Sequence, residues 1–284
     1  MSRVAYVKGQ YVPLSHAAVS MMDRGYLFAD GVYEVVALYR GALLDEAGHL
    51  DRLERSLAEL SIPMPMTRRA LELAIRELMR QHPQQKNGLI YMQVTRGEGV
   101  RNHLYAPNMK PLLAMALLAA KYPTAAEREK GGKVITAPDM RWARCDIKST
   151  ALLPNILTRN HGATLGAKEV WQLNREGQVT EGSYSNAYIV DARGVVRTHP
   201  KSHAILGGIT RDTVLRLARE AGIKVVEEPF TVAEIAKASE AFMSSASSFV
   251  FPITQLDAVT LPVGPITRKL MGLYDAYIES LIHA

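Results

Sequence analysis

Two short, mostly apolar runs open the chain. Val4-Ala5-Tyr6-Val7 and Gln10-Tyr11-Val12 flank Lys8-Gly9, which predicts two short strands joined by a tight hairpin turn. Residues 32–38 (Val-Tyr-Glu-Val-Val-Ala-Leu) are rich in β-branched and aromatic side chains and predict a strand, which Arg40-Gly41 turns into Ala42-Leu43-Leu44. The spacing then becomes helical. Leu50, Leu53, Leu57 and Leu60 form one stripe of a helix from about His49 to Leu60, stopped ahead of Pro63. Leu71, Ile75, Leu78 and Met79 mark a second helix that follows Thr67, a natural N-cap. Residues 88–96 and 111–119 read as strands.

Between 121 and 133 the chain turns polar, with Pro123 and Gly131-Gly132, and predicts a linker. Beyond it strands and helices mix: a strand over 134–137, a helix over 155–168 and a strand over 187–191. A helix from Thr210 or Arg211 to Ala221 is closed by Gly222. A last helix spans 266–281 and turns Leu270, Tyr274, Ile278 and Leu281 toward a core. Strands and helices without regular alternation predict an α+β protein in two parts of similar size, over 1–120 and 134–284.

With 48% hydrophobic and 22% charged residues in 284, the chain is a folded one, which excludes a disordered or collagen-like protein. The longest nearly unbroken apolar run, 111–120, is far short of the ~20 residues of a membrane span. The first residues show no apolar signal-peptide core, so a cytoplasmic protein is expected. One cysteine, Cys145, forbids a disulfide within the chain and a multi-cysteine metal site. The eight histidines are scattered without metal-ligand spacing, so no metal is expected. A net charge of +6 without like-charge blocks suits a small anionic ligand as well as nucleic acid. No basic patch interleaved with aromatics supports nucleic-acid binding.

Several segments carry candidate chemistry. Lys148, ahead of Ala151-Leu152-Leu153-Pro154, has apolar and small neighbours. Burial disfavours a charged ammonium, which is what a Schiff-base nucleophile needs; the competing reading is a surface lysine whose stem lies along apolar residues. Glu181, in Thr180-Glu181-Gly182-Ser183-Tyr184-Ser185-Asn186, either holds a ligand ring nitrogen protonated or belongs to a turn bonded to its own backbone. Leu206-Gly207-Gly208-Ile209-Thr210 opens into a helix whose free N–H groups suit phosphate, with a plain Thr210 N-cap as the alternative. The serine run 244–248, interrupted by Ala246, offers hydroxyls to the same anion or is a simple turn. Arg52 falls beside the leucine stripe and either reaches phosphate or pairs with Glu54 or Glu59. Arg101 and His103, in a glycine-containing loop, form a candidate carboxylate clamp or a plain basic loop.

Taken together, these segments resemble the fold-type IV pyridoxal-phosphate enzymes, and most closely the D-amino-acid transaminases. The likeness begins at Asp23-Arg24-Gly25-Tyr26 and Asp30-Gly31-Val32-Tyr33-Glu34, passes through residues 49–53, 93–97, 101–103 and 141–149, and ends with 180–186 and 208–212. It implies a two-domain architecture with the cofactor, pyridoxal 5′-phosphate, between the domains, and the C-terminal domain carrying the reactive lysine. Lys148 would form the Schiff base and carry the 1,3-proton shift, and Glu181 would pair with the pyridine nitrogen. Arg52, the Ile209 and Thr210 amides, Ser245 and Ala246 would surround the phosphate, and Leu206 would back the ring. Tyr33, Arg101 and His103 would hold the substrate carboxylate, the last two reaching across from a second subunit of a homodimer. The implied reaction moves an amino group from D-amino acids, such as D-alanine or D-glutamate, to 2-oxo acids such as 2-oxoglutarate or pyruvate.

Branched-chain L-aminotransferases and (R)-amine transaminases share this pattern, but the former typically carry a tyrosine five residues after the lysine, where this chain has Leu153. The related 4-amino-4-deoxychorismate lyases typically lack the Arg-x-His pair. The chain departs from the family at Ala246, where a threonine is usual, at Tyr184, which replaces a smaller residue, and at Gly207, where a lysine can occur.

Overall fold

The Lys8-Gly9 turn forms as expected: both residues take left-handed φ, 52° and 82°, so a two-residue turn follows the twist of the strands it joins. Those strands are β1 (Val4–Val7) and β2 (Gln10–Pro13), in a computed structural model that describes residues 3–283. Met1, Ser2 and Ala284, at the ends of the expected domain spans, lie outside the described residues. The chain divides into two compact units, the first running to Lys121 and including Ile147–Ala151.

In the first unit α1 (Arg24–Phe28), β3 (Gly31–Tyr39), β4 (Ala42–Leu43), α2 (Glu46–Glu59), α3 (Arg68–Arg80), β5 (Gly88–Thr95) and β6 (Leu112–Ala119) follow the hairpin. The strands form an antiparallel sheet in the order β2-β1-β6-β5-β3-β4. Alternation decides its inner face: on β5, Ile90, Met92 and Val94 are buried, while Leu89, Tyr91 and Gln93 are not. Leu50, Leu53 and Leu57 of α2 and Leu71, Ile75 and Leu78 of α3 join Val32, Val36 and Leu38 of β3 in one apolar core. The Thr67 hydroxyl caps α3 by accepting from the Ala70 N–H at 3.3 Å. Helix α2 starts a turn earlier than its leucine stripe predicts, because residues 46–48 carry no apolar signal.

The second unit comprises Tyr122–Asp146 and Leu152–Ala284. Its elements are α4 (Ala125–Lys130), β7 (Gly132–Pro138), α5 (Leu153–Thr164), β8 (Glu169–Leu173), β9 (Gln178–Gly182), β10 (Asn186–Val190), β11 (Val196–Thr198), α6 (Ile209–Glu220), β12 (Val225–Glu227) and β13 (Phe230–Thr231). There follow α7 (Val232–Ile235), β14 (Glu240–Ser245), β15 (Phe249–Leu256), β16 (Val259–Thr260) and α8 (Pro265–Ile282). One mixed sheet runs β12-β11-β10-β14-β15-β7-β8-β9-β13, with β16 paired to β15. All five residues of β10 are buried, as expected for a strand covered on both faces. Helix α6 packs on β14 and α8, and α8 packs on β14 and β15.

Three expectations change. The supposed linker over 121–133 holds α4, whose N-terminus is a capping box between Thr124 and Glu127. Helix α5 ends at Thr164 instead of 168, since Gly166 takes a left-handed φ of 70° that breaks the helical run. The domain expected over 134–284 yields residues 147–151, Lys148 among them, to the first unit. That segment bonds to β3: Tyr33 N–H donates to the Lys148 carbonyl and Thr150 N–H to the Gly31 carbonyl, at 2.9 and 3.0 Å.

Candidate functional site

In the first unit, backbone pairing with β3 fixes Lys148, and its own N–H donates to the Ser56 hydroxyl of α2 at 3.4 Å. Its Nζ lies 4.3 Å from the centre of the Tyr33 ring, a cation–π contact. Tyr33 in turn stacks on Tyr91 at 5.9 Å.

The next residue on β3, Glu34, is fully buried. It accepts from Arg52 Nε at 2.7 Å and from a terminal Arg52 nitrogen at 2.9 Å, and it meets His49 Nδ1 at 2.8 Å. Burial pushes the Glu34 carboxyl up, but the Arg52 charge and the His49 hydrogen bond outweigh it and hold the group well below the usual carboxylate range. Burial drives the His49 imidazole the other way, toward its neutral form. Arg52 thus stands, buried, on Glu34.

Arg101 and His103 are exposed, and the structure brings them together around Phe28, whose ring centre is 5.3 Å from the Arg101 guanidinium and 5.5 Å from the His103 ring. Their loop rests on Arg24, which donates to the carbonyls of Asn102 at 2.6 Å and His103 at 3.3 Å. Arg24 and Arg96 both bind Asp30, at 2.7 and 2.8 Å, and the Tyr105 ring covers Arg96 at 3.8 Å. Tyr33 makes no hydrogen bond to Arg101 or His103 among the described residues.

In the second unit, chain direction gathers the remaining candidates at one end of the sheet. Strand β9 finishes at Gly182, a three-residue turn leads into β10 at Asn186, and antiparallel β14 brings Ser244 opposite Asn186. Glu181 is buried. Its Oε1 accepts from Arg141 and, at 3.0 Å, from the Leu206 N–H; its Oε2 accepts from Asn186 at 3.0 Å. Burial pushes the Glu181 carboxyl up, and Arg141 opposes that shift. Arg141 is itself fixed by Asp139 at 2.7 and 2.9 Å, by the Thr180 hydroxyl and by the Ala204 carbonyl.

Helix α6 starts at Ile209, one residue before the expected Thr210, with Gly208 as N-cap and no side chain capping it. The first N–H groups, those of Ile209 and Thr210, therefore have no partner within the helix and suit an anion. Gly208 is required there, since a Cβ would overlap the Asn186 Oδ1. At the end of β14, the Ser245 hydroxyl accepts from the Ser248 N–H at 3.1 Å and meets the Ser247 hydroxyl at 3.4 Å, so Ala246 sits in a tight serine turn.

Sequence reasoning gave no role to Glu34, His49, Asp139, Arg141 or Asn186. The signal available was only that these polar residues lie within otherwise apolar strands or beside a candidate. A further buried carboxylate, Glu169, holds the β9–β10 turn. It accepts from the hydroxyls of Ser183 and Ser185 at 2.5 and 2.7 Å and from the Ser183 and Tyr184 N–H groups. The Tyr184 hydroxyl donates to the Lys168 carbonyl at 3.3 Å.

The first unit thus presents a half-buried amine, and the second, taken by itself, a buried carboxylate and an open helix N-terminus. Comparison with known proteins gives the family. The amino-transferase class IV family model matches residues 31–256. A D-alanine aminotransferase of Staphylococcus epidermidis is 39% identical over 279 residues, 97% of this chain and 98% of that one. Among solved structures, a branched-chain aminotransferase from Thermoproteus uzoniensis with norvaline superposes with a TM-score of 0.88 at 27% identity, covering 100% of this chain and 96% of the other. An Escherichia coli branched-chain amino acid aminotransferase gives 0.88 at 22% identity, covering 96% and 95%, a likeness of fold. The chain belongs to the class IV aminotransferases.

Proposed function

We propose that this pyridoxal-phosphate-dependent aminotransferase moves the amino group of D-amino acids, such as D-alanine and D-glutamate, to 2-oxo acids such as 2-oxoglutarate and pyruvate. The observation that carries this reading is the 39% identity, over 97% of the chain, to an enzyme named D-alanine aminotransferase. The exposed Arg101–His103 pair supports it, because a guanidinium beside an imidazole recognises a carboxylate by charge and by hydrogen bonding.

When bound, pyridoxal phosphate supplies an aldehyde that condenses with amines and a ring that withdraws electrons from the substrate α-carbon. Lys148 would hold the aldehyde end of the group through its amine, and its free amine would accept and return the substrate α-proton. Glu181 would keep a proton on the ring nitrogen, and Arg141 favours the charged carboxylate that this requires. The Ile209 and Thr210 N–H groups, Arg52 and Ser245 would hold the phosphate, with Ala246 offering only backbone, and Leu206 would back the ring. Tyr33, Arg101 and His103 take the substrate carboxylate.

The working unit is a homodimer in which the Arg101–His103 loop serves the neighbouring subunit. Val100 and Leu104, flanking these residues, are 86% and 81% exposed, and a second copy would cover them. No helix among the described residues is long and apolar enough to cross a membrane.

Half-reactions with D-alanine, L-leucine and (R)-phenylethylamine, followed by the loss of the aldehyde-form absorbance, test the assignment. Conversion by D-alanine alone is expected. Faster conversion by L-leucine would move the chain to the branched-chain reading.

A further inference from the structure

Asn186 touches every element that frames the second unit's candidate groups. It is buried at the first position of β10. Its Nδ2 donates to Glu181 Oε2 at 3.0 Å and to the Leu206 carbonyl at 3.0 Å. Its Oδ1 faces Gly208, so closely that a Cβ at that position would overlap it. Its backbone stands opposite Ser244, next to Ser245. One amide group therefore ties the end of β9 to the loop that opens α6, on a strand paired with β14. An amide fits this place because it donates from one end and presents a small carbonyl at the other. Aspartate would set a second carboxylate against Glu181, and leucine would leave both Glu181 Oε2 and the Leu206 carbonyl without their donor.

We propose that Asn186 is a positioning residue that fixes the distance between the Glu181 carboxylate and the first turn of α6, so that one ligand engages both ends at once. This rests on the reading of the chain as a pyridoxal-phosphate enzyme. The ligand would meet Glu181 through its ring nitrogen and α6 through its phosphate, and a rigid molecule gains from both contacts only when their spacing matches its own. The Asn186 side chain contacts Glu181 and the loop that opens α6, so its contribution is to cofactor retention.

Three probes bound to the apoprotein test this by absorbance or fluorescence titration: pyridoxal phosphate, pyridoxal, which lacks the phosphate, and a carbocyclic analogue of pyridoxal phosphate with C–H in place of the ring nitrogen. Asn186→Ala is expected to weaken pyridoxal phosphate about tenfold or more, and each truncated probe by less than about threefold, because a ligand held at one end settles there at any spacing. Asn186→Asp, which keeps the shape of the side chain, tests the same pattern should the alanine variant fail to fold; the analogue without ring nitrogen is then the reference. Equal losses for all three probes, or none for pyridoxal phosphate, overturn the proposal. Failure of the unaltered protein to bind pyridoxal phosphate at all overturns the functional reading beneath it, and is told apart because no variant is needed to see it.

Discussion

The Lys148 amine lies against the face of Tyr33, 4.3 Å from the ring centre, and both residues are fixed by the same backbone pairing between 147–151 and β3. The contact needs the ring face and not the phenol hydroxyl, which makes the two separable. Tyr33→Phe should leave borohydride fixation of pyridoxal phosphate to Lys148 within about threefold of the unaltered rate while raising KM for D-alanine. Lys148→Ala should abolish the fixed adduct and lower transamination by about a thousandfold or more. Peptide mass mapping of the reduced protein reads the adduct directly, and an adduct elsewhere would sink the assignment.

Arg101 is exposed, and its guanidinium lies near the Phe28 ring while Arg24 holds the loop backbone. Truncating it should therefore leave the loop in place. Arg101→Ala is expected to raise KM for D-glutamate and 2-oxoglutarate by about ten- to a hundredfold, since a charge-assisted carboxylate contact is worth roughly 1.5–3 kcal/mol. Fixation of the cofactor to Lys148 should not change. Steady-state kinetics with KM unaltered would show that the clamp is elsewhere.

Much of this was legible in the letters, and the exceptions share a cause. β-Branched and aromatic content marked β3, and alternation or helical spacing is written by burial of one face in β5 and α3. Helix α4 escaped because none of its residues is buried; its only signature was Thr124 followed by Glu127. The same blindness applies to the site. Arg52 and Glu181 stood out by residue type, but their partners Glu34 and Arg141 are distant in sequence and meet only once the sheets form. Membership of 147–151 in the first unit is likewise a matter of long-range pairing that no local pattern carries.

Glu240, on β14, is buried and caps α8 by accepting from the Ile266 N–H at 3.0 Å and the Thr267 N–H at 2.6 Å. A carboxylate at a helix N-terminus satisfies two orphan donors and meets the positive end of the helix dipole. Glu240→Ala should cost about 2–3 kcal/mol in urea unfolding, the value of hydrogen bonds to a charged group. Glu240→Gln, which keeps one acceptor, should cost about half as much. A stability change below ~0.5 kcal/mol for the alanine variant would show that α8 is held by its packing on β14 and β15 alone.

Asp30 gives stability a pH dependence of definite sign. Burial pushes its carboxyl up, but hydrogen bonds and charge from Arg96 and Arg24 outweigh it, so the folded-state value lies below the usual one. The unfolded chain therefore takes up this proton first as the solution is acidified. The stabilisation is fully present above the unfolded value of about 3.9 and is lost as pH falls through the folded value. Glu34 and Glu227 are depressed in the same direction, so the unaltered protein is expected to weaken steeply below about pH 4. Asp30→Asn should be less stable at pH 7 by about 2 kcal/mol, because Arg24 and Arg96 lose the charge between them. Its urea midpoint should fall less steeply below pH 4, so that the two curves converge. Parallel curves from pH 7 to pH 3 would show that Asp30 titrates alike in the folded and unfolded chain, and that Arg24 and Arg96 hold the loop without help from its charge.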